Sequence, residues 1–402
     1  MMEQCVPDWR FGEVRWLQRK PKDIFEEIAD KNHSDMEVLT IRQGYGTVPR
    51  NESGIDISFK DESKASYKKV EEGNFIIHLR SFQGGLEMAN SDGIVSPAYT
   101  VLKHKIPINN RFFNEYFHTH KFIHRELAKA VEGIRDGRQI SYRQFAVVNI
   151  PCPPLSEQNK IADYLTYIDN AIIAQEAKLD NMRAMKRGTL QKIFSREWRF
   201  RDEIGQKFPE WEEKRLGEVC KRFYSGQTPK STNSSFYNGD IPWLSSGDLN
   251  RGIIYETEKK ITEAGRKNAN LKIMPVGTFI IAVFGLEADQ VCGNCGILGI
   301  PATVNQACMC IIPNEKYLSS EFLFQWYLYM GKIYGNRYCQ GTKQQNYNLE
   351  LLKKLDIVIP CLAEQQKITD YFLRLDKIIE AESTALDAMR KIKRGLLQRL
   401  FV

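Results

Sequence analysis

The chain has 402 residues, a formal net charge of +7 and 42% hydrophobic residues. This composition is typical of globular domains and excludes a disordered or fibrous chain, while the length allows two or three domains. No apolar run approaches the roughly 20 residues of a membrane span, and the start lacks the order of a signal peptide, so we expect no membrane association and a cytoplasmic location. The positive charge is compatible with nucleic acid but too small to indicate it alone.

Residues 1–151 predict a first globular segment. Short β-branched runs alternate with Gly, Asn and Pro, as in "GYGTVPRNESG" from Gly44 and "SFQGGLEMANSDGIVSPAYTVL" from Ser81. Such runs predict a mixed α/β or mainly β domain with long loops. Farther along, "FFNEYFHTHKFIHREL" predicts an amphipathic helix whose histidines lie on the polar face, and we prefer this interpretation to a metal site.

Residues 152–197 predict a long helix that the chain repeats at residues 359–402. Glu157 matches Glu364 at an offset of 207 residues (364 − 157), and the match continues without a gap to Phe194 and Phe401, with about half of the positions identical. Prolines precede both copies, where a strand should stop and a helix begin. Each copy predicts a helix of about 38 residues, or about 57 Å at 1.5 Å per residue.

Apolar residues in both copies recur at alternating steps of four and three, which predicts the seam of a coiled coil. We expect the two helices to pack antiparallel on each other, in preference to two independent surface helices. Gln175 and Glu382 are the polar interruptions of this seam, and an antiparallel pair should bring them close together. The predicted seam positions are Ile161, Leu165, Ile168, Ile172, Gln175 and Leu179 in the first copy, and Ile368, Phe372, Leu375, Ile379, Glu382 and Leu386 in the second.

Residues 198–358 predict a second globular segment that shares little with the first. Both segments contain "WRF", at residues 9–11 and 198–200, and both end in a short apolar run, "FAVVNIP" or "LDIVIP". The predicted fold class is therefore α/β (α+β), with two globular domains separated by two long antiparallel helices in a pseudo-two-fold internal repeat.

Four cysteines of the second segment are the candidates for a metal site. Cys292 and Cys295 have the spacing of half a zinc site, whereas the spacing of Cys308 and Cys310 is wrong for the other half. The alternation in "QACMCIIP" predicts a strand on which Cys308 and Cys310 share one face. We therefore favour buried cysteines over zinc and predict no metal site.

The chain lacks three sequence motifs that would indicate catalysis. These are a Walker loop, a dinucleotide-type GxGxxG, and the Asn/Asp-Pro-Pro-aromatic loop of DNA amino-methyltransferases. The sequence therefore predicts no catalytic centre. Two other functions stay open at this point: a solo methyltransferase or nuclease, which the missing motifs disfavour, and a coiled-coil scaffold that binds no nucleic acid.

The repeated helix motif resembles the conserved regions of the specificity subunit of type I restriction–modification systems. Its copies read "PPLSEQNKIADYLTYID" and "PCLAEQQKITDYFLRLD", and they close with "MRAMKRGTLQKIF" and "MRKIKRGLLQRLF". The stretches "WEEKRLGEV", "SGQTPKS", "YNGDIPWLSSGDL" and "GIPATVNQACMCIIP" resemble target-recognition domains of that family, as does the stretch from Ser81. One departure is Cys361, which stands where the first copy has the second proline of its pair.

The resemblance implies a sequence-specific DNA-binding subunit without catalysis of its own. It implies target-recognition domains at residues 1–151 and 198–358, each reading one half of a split target in double-stranded DNA, and spacer helices at 152–197 and 359–402. The implied partners are two modification subunits and the motor–nuclease restriction subunits. The resemblance places no cofactor in this chain and assigns S-adenosylmethionine, ATP and Mg to the partner subunits.

Within those two domains, candidate DNA-contacting residues are polar side chains in glycine-flanked loops, since Arg, Gln and Asn can bind base edges in pairs of hydrogen bonds. Solvated turns are the alternative interpretation. We assign a set of basic residues to helix ends or partner contacts, in preference to DNA contact. These residues are Lys186, Arg187 and those at 196–201 and 391–394. The candidates are Tyr45, Thr47, Arg50, Arg80, Gln83, Arg138 and Gln139 in the first domain, and Gln227, Thr228, Lys230, Ser245, Ser246, Lys343, Gln344, Gln345 and Asn346 in the second.

Overall fold

Two units of mixed helix and strand make up the computed structural model, which describes residues 4–5, 16–52, 61–133, 138–285, 293–338, 345–346 and 349–401. Unit 1 consists of residues 1–176 together with 384–402, and unit 2 consists of residues 177–383. Each unit therefore contains one globular domain and a part of each of two long helices. Among the described helices, none is long and apolar enough to cross a membrane.

The repeated segments form the two longest helices of the described chain. The first long helix covers Leu155–Phe194, which is 40 residues, and the second covers Leu362–Leu400, which is 39 residues. Both lengths agree with the 38 or so residues that the repeat predicts. The helix starts are also alike, because Gln158 donates to the carbonyl of Pro153 and Gln365 donates to the carbonyl of Pro360, at 2.8 and 2.9 Å. The cysteine at position 361 leaves this start intact.

Ion pairs show how the helix segments run within each unit. In unit 1, Asp169 pairs with Lys393 at 2.7 Å and Glu176 pairs with Arg390 at 2.6 Å. The residue number rises on one helix as it falls on the other, so the two segments are antiparallel.

Unit 2 repeats this arrangement with its own helix segments. Lys178 pairs with Glu382 at 2.7 Å, and Lys186 pairs with Asp376 at 2.5 Å. The Lys186–Asp376 pair is the counterpart of Asp169–Lys393 at the repeat offset, with the helices exchanged. The same contact is therefore made once in each unit.

The globular part of unit 1 is built on several small sheets. A four-stranded sheet has the strand order Phe25–Ile28, Thr100–His104, Phe75–Ile77, Glu87–Met88. A three-stranded sheet joins Gln4–Cys5, Trp16–Arg19 and Ile150–Cys152, and three two-stranded pairs join Leu39–Arg42 to Gly46–Pro49, Lys68–Val70 to Gly93–Val95, and Val131–Glu132 to Gln139–Ile140. The α-helices of this part are Ser81–Gly84, Asn110–Phe117 and Tyr142–Phe145.

An aromatic core closes unit 1, and both long helices contribute to it. Ile161 and Leu165 enter from the first long helix, and Leu400 and Phe401 enter from the end of the second. The ring of Phe401 lies 5.3 Å from that of Phe112, measured between ring centres. The helix ends are therefore core elements of the domain.

Unit 2 has a larger central sheet. Its strand order is Cys220–Ser225, Cys308–Pro313, Phe279–Ala282, Cys295–Leu298, Ile253–Ile254. A second sheet joins Lys260–Ile261, Tyr237–Leu244 and Thr303–Val304, and two pairs join Glu212–Arg215 to Asp356–Ile359 and Phe284–Gly285 to Gln345–Asn346. The described α-helices of its globular part are Leu216–Val219, Glu263–Asn268, Ser320–Tyr338 and Leu349–Lys353.

A buried Trp–Glu hydrogen bond attaches each domain to the start of its helix. The indole N–H of Trp16 donates to Glu157 at 3.1 Å, and the indole N–H of Trp211 donates to Glu364 at 3.0 Å. Arg199 adds a second, charged donor to Glu364 at 2.9 Å. The two domains thus share the same attachment to a long helix, although their sequences share little. The shared tryptophans are not those of the two "WRF" motifs, of which residues 9–11 lie outside the described residues.

The predicted seam residues of the two long helices all avoid solvent to some degree. Ile161, Leu165, Leu179, Ile368, Phe372, Leu375 and Leu386 are buried, and Ile168, Ile172, Gln175, Ile379 and Glu382 are half-buried. The expected closeness of Gln175 and Glu382 concerns two different units and stays a prediction.

Three buried cysteines of unit 2, Cys295, Cys308 and Cys310, lie on opposite faces of the central sheet. Cys308 and Cys310 share one face and pack with Ile280, as the strand alternation predicts, while Cys295 packs on the other face. Burial raises the pKa of Cys295 and Cys310 to about 12, so both thiols stay protonated at neutral pH. These three thiols cannot converge on one ion, and Cys292 lies outside the described residues.

Candidate nucleic-acid interface

A tight hairpin presents the first group of candidate side chains in unit 1. This tip hairpin consists of the strands Leu39–Arg42 and Gly46–Pro49 and the turn between them. The side chain of Tyr45 at the turn is 66% exposed, and the Arg42 guanidinium lies 4.4 Å above its ring. An aromatic face stacked under an arginine is a surface that can contact both bases and phosphates.

Buried polar groups hold this turn from below. The carboxylate of Glu87, which is fully buried, accepts the backbone N–H of Gly44 at 2.6 Å and that of Gly46 at 2.9 Å. The amide of Asn90 donates to the carbonyl of Tyr45 at 2.6 Å and to that of Thr47 at 3.0 Å. The backbone of the turn is therefore fixed while the side chains of Arg42 and Tyr45 face outward.

A chain of contacts joins the tip hairpin to the other candidates of unit 1. The Gln43 side chain fills the space beside Gly84, where any Cβ would collide with it. Gly84 ends the short helix Ser81–Gly84, and the guanidinium of Arg138 lies 4.6 Å above the ring of Phe82 in that helix. Tyr45, Gln83 and Arg138 therefore belong to one surface.

We call this surface the first polar surface, and it is rich in residues that can read bases. Its exposed residues are Arg42, Gln43, Tyr45, Arg80, Gln83 and Arg138. Sequence analysis missed Arg42 and Gln43, which directly precede the glycine-flanked turn. Their position before the turn is a usable signal, because a hairpin places the residues on both sides of its turn at the same tip.

Three other candidates of the first domain lie elsewhere or serve another purpose. Thr47 departs from its prediction: it is only 3% exposed, and its hydroxyl accepts the Asn90 backbone N–H at 2.9 Å, so it supports the hairpin. Arg50 is half-buried, with a guanidinium nitrogen 3.5 Å from the Tyr67 hydroxyl. Gln139 is exposed on a short edge strand.

Unit 2 presents its candidates on a loop that follows the strand Cys220–Ser225. Gly226 lies directly on the carbonyl of Val304, so that any side chain there would collide with the backbone. The Trp243 indole donates to the carbonyl of Gln227 at 3.2 Å, and the Tyr237 hydroxyl donates to the carbonyl of Pro229 at 2.6 Å. The loop is therefore rigid, and the side chains of Gln227, Thr228 and Lys230 are exposed on it.

The same loop is joined to two other turns, and together they form the second polar surface (Gln227, Thr228, Lys230, Ser245, Ser246 and Gln306). The Thr228 hydroxyl donates to Gln306, and the backbone N–H of Asn305 donates to the carbonyl of Leu244 at 2.9 Å, next to Ser245. Ser245 itself caps a turn, since its hydroxyl donates to Asp248 at 2.7 Å. Gln306 is a further residue that sequence analysis missed.

The remaining candidates of the second domain are described in part. Lys343 and Gln344 lie outside the described residues. Gln345 and Asn346 form a strand beside Phe284–Gly285, and the preceding Val283 donates its N–H to the carbonyl of Ala307 at 2.8 Å. The backbone therefore brings this strand to the edge of the second polar surface.

Three residues of the basic clusters are engaged in contacts within their own units. Lys186 pairs with Asp376, Lys393 pairs with Asp169, and Arg199 pairs with Glu364. These contacts support the preference for roles at the helix ends over DNA contact.

Two histidines, the buried His78 and the half-buried His118, lie beside Glu87 beneath the tip hairpin. Burial lowers the pKa of His118, but the Glu87 carboxylate outweighs burial and leaves that pKa raised. The His118 Nε2 atom is 3.2 Å from the Glu87 carboxylate, which is within ion-pair distance. Burial lowers the pKa of His78, which stays neutral.

A family model and two relatives match large parts of this chain. A family model described as the type I restriction modification DNA specificity domain matches residues 9–181 and again residues 209–389. A type I restriction enzyme specificity subunit of Escherichia coli is 27% identical over 263 residues, or 63% of this chain and 62% of that protein. One of Methanocaldococcus jannaschii is 31% identical over 209 residues, or 50% of this chain and 46% of that protein. The chain thus spans less than two thirds of these relatives.

Solved structures show a similar fold over nearly the whole chain. A chain from a structure of type I R-M system assembly and conformational transition aligns with a TM-score of 0.63 at 16% identity, covering 96% of this chain and 97% of that one. The HsdS subunit from Thermoanaerobacter tengcongensis aligns with a TM-score of 0.52 at 14% identity, covering 96% of both chains. Because the family model covers both domains, the chain belongs to the family of the type I restriction–modification DNA specificity domain and carries two copies of that domain.

Proposed function

We propose that this chain is the DNA-reading subunit of a type I restriction–modification complex, that it works in the cytoplasm, and that it has no catalysis of its own. One observation carries the proposal. The two units repeat the same Trp–Glu attachment and the same Asp–Lys helix contact, yet their polar surfaces carry different residues. A shared framework with two different surfaces is what reading two unlike half-sites requires.

The composition of the surfaces supports DNA as the ligand. The first polar surface has three arginines and two glutamines around an exposed tyrosine, and the second has two glutamines and a lysine beside a threonine. Arginine and glutamine can form paired hydrogen bonds with guanine and adenine, each worth about 1–3 kcal/mol of discrimination. Each domain would read one half of a split target in double-stranded DNA.

Exposed apolar residues at equivalent positions of the two long helices support a partner that binds twice. Leu155 and Leu362 are 39% and 43% exposed, and Met185 and Ile392 are 50% and 64% exposed. Each pair is related by the repeat offset. We assign these positions to two modification subunits, which would carry S-adenosylmethionine. The motor–nuclease restriction subunits, with ATP and Mg, would join the same complex.

Exchanging one domain tests the proposal. Residues 1–151 are replaced by the corresponding domain of another family member, and the hybrid is expressed with its modification partner. Methylation mapping of the host genome should show one half of the target changed and the other half retained. The matched control exchanges residues 198–358 and should change only the other half. A folded hybrid that alters both halves, or none, would contradict independent reading.

The same preparations separate the two rival functions. A methyltransferase would bind S-adenosylmethionine as an isolated chain, which calorimetry measures directly. A scaffold would bind no DNA even with modification subunits present, whereas a DNA reader binds more weakly as the salt concentration rises.

A further inference from the structure

The tip hairpin of unit 1 depends on a buried carboxylate that none of the proposed DNA contacts includes. We propose that Glu87 is a positioning residue for specificity: by holding the backbone of the Gly44–Tyr45–Gly46 turn, it sets the place of Arg42 and Tyr45 and hence the reading of one half-site. This inference rests on the proposed function, because it assigns a role within the first polar surface.

Both carboxylate oxygens of Glu87 accept hydrogen bonds from the backbone of the turn. Its two oxygens accept the N–H groups of Gly44 and Gly46, one each. These two donors flank Tyr45, so the carboxylate holds the turn on both sides of the residue with the exposed ring. A carboxylate can satisfy both donors at once, whereas an amide offers only one oxygen and would turn an N–H toward the other donor.

The surroundings keep this carboxylate in place. Glu87 is fully buried, and the Nε2 atom of His118 lies 3.2 Å from Oε1, the oxygen that also accepts the Gly44 N–H, with His78 nearby. A buried carboxylate needs such partners because an unpaired charge is costly in a protein interior. The positively charged form of His118 compensates the charge of Glu87 while both carboxylate oxygens keep their hydrogen bonds to the turn.

Asn90 holds the other edge of the same turn, so its replacement tests the role of the turn without changing Glu87. Asn90 is exposed, and its side chain pairs with no buried charged group. Among the contacts described, its side-chain amide donates only to the carbonyls of Tyr45 and Thr47. Replacing it loosens the turn from the surface side, with little risk to the core of the domain.

The experiment uses the full chain in complex with its modification partner. The wild type, Glu87→Gln, Asn90→Ala and Tyr45→Ala are compared by genome methylation mapping, and thermal unfolding confirms folding. We expect Glu87→Gln and Asn90→Ala to relax the first half-site about 10-fold, the usual effect of losing one base contact. The second half-site should keep its sequence. Glu126→Gln is the matched control, since it removes a carboxylate that pairs with Lys129 on the surface of the same domain.

A double-mutant cycle distinguishes positioning from general stabilisation. Glu87→Gln combined with Tyr45→Ala should relax the first half-site by less than the product of the two single effects, because part of the Glu87 effect acts through Tyr45. Equal loss at both half-sites, additive effects, or unchanged recognition would overturn the proposal. If Glu87→Gln does not fold, unchanged recognition in Asn90→Ala overturns it. Failure of the proposed function is separate, since the wild-type complex would then methylate no bipartite target.

Discussion

Three glutamates show how this chain uses buried charge. Glu87, Glu157 and Glu364 are all buried, and each accepts hydrogen bonds from N–H groups: backbone amides for Glu87, and tryptophan indoles for the other two. A bond to a charged acceptor contributes about 1.5–3 kcal/mol, roughly twice that of a neutral pair. Buried acids are therefore attachment points, two for the helices and one for the tip hairpin.

The Glu87–His118 contact leads to a prediction on pH. The raised pKa of His118 means that its protonated form stabilises the folded state. That stabilisation is present in full below the ordinary histidine pKa of about 6.5 and is lost as the pH rises through the higher folded value. The difference in free energy of unfolding between wild type and His118→Gln should therefore be largest in acid and decrease toward alkaline pH. Chemical denaturation at a series of pH values measures it.

The design of this measurement cancels the other nearby groups. The pKa of His78 is lowered mainly by burial, with a smaller effect from charged His118, so His78 destabilises the fold as the pH falls in both proteins and its main effect cancels. Glu87 and Glu115, which face His118, are also common to both. Replacing the exposed His104 with Gln is the control. A difference that is constant, or that grows with pH, would contradict the charge contact.

At the scale of elements, the sequence predicted the long helices well because their periodicity extends over dozens of residues. The sequence could not predict that Ile161 and Leu165 belong to the domain core as well as to the predicted helix seam. The spacing of apolar residues shows which face of a helix is buried, but it does not show which element packs against that face. The glycines of the tip hairpin indicate a loop with candidate DNA contacts, but they do not show that Thr47, one of those candidates, faces the interior. Which side chain of a hairpin faces outward depends on register, and here on the bond to Asn90.

The polar positions of the helix seam give a prediction for this scale. Gln175 and Glu382 are half-buried, and Glu382 pairs with Lys178, whose side chain is 53% exposed. Such an exposed ion pair contributes at most about 1 kcal/mol, whereas a buried leucine contributes about 1.5–3 kcal/mol. Replacing both residues with leucine should raise the Tm by a few degrees, as measured by calorimetry.

A single variant controls for the lost ion pair. Lys178→Leu removes the partner of Glu382 at an exposed site and should leave the Tm unchanged or slightly lower. A marked drop in Tm for the double leucine variant would show that the two positions are not neighbours in the seam.

At the scale of the whole molecule, the first long helix is continuous from unit 1 into unit 2. If it sets the separation of the half-sites, four residues inserted within 174–178 lengthen it by about 6 Å and add about one turn, which keeps the seam nearly in phase. With DNA rising about 3.4 Å per base pair, the gap in the target should widen by one or two pairs. Methylation mapping of the variant measures the gap.

Two inserted residues form the opposing control. They rotate the seam by about 200°, because 3.6 residues make one turn, and should abolish recognition. An unchanged gap in the four-residue variant would mean that the helix does not set the spacing.

The composition of unit 1 also has a consequence for synthesis. Its aromatic core includes Phe401, so the first domain cannot complete its packing until all of unit 2 has left the ribosome. At about 5–20 residues per second, roughly 200 residues impose a delay on the order of 10–40 s. Unit 2 is one continuous stretch and can finish earlier. The domain that is translated first is therefore the last to fold, and during this delay the apolar side chains around Trp16 lack the cover that Phe401 provides in the folded unit.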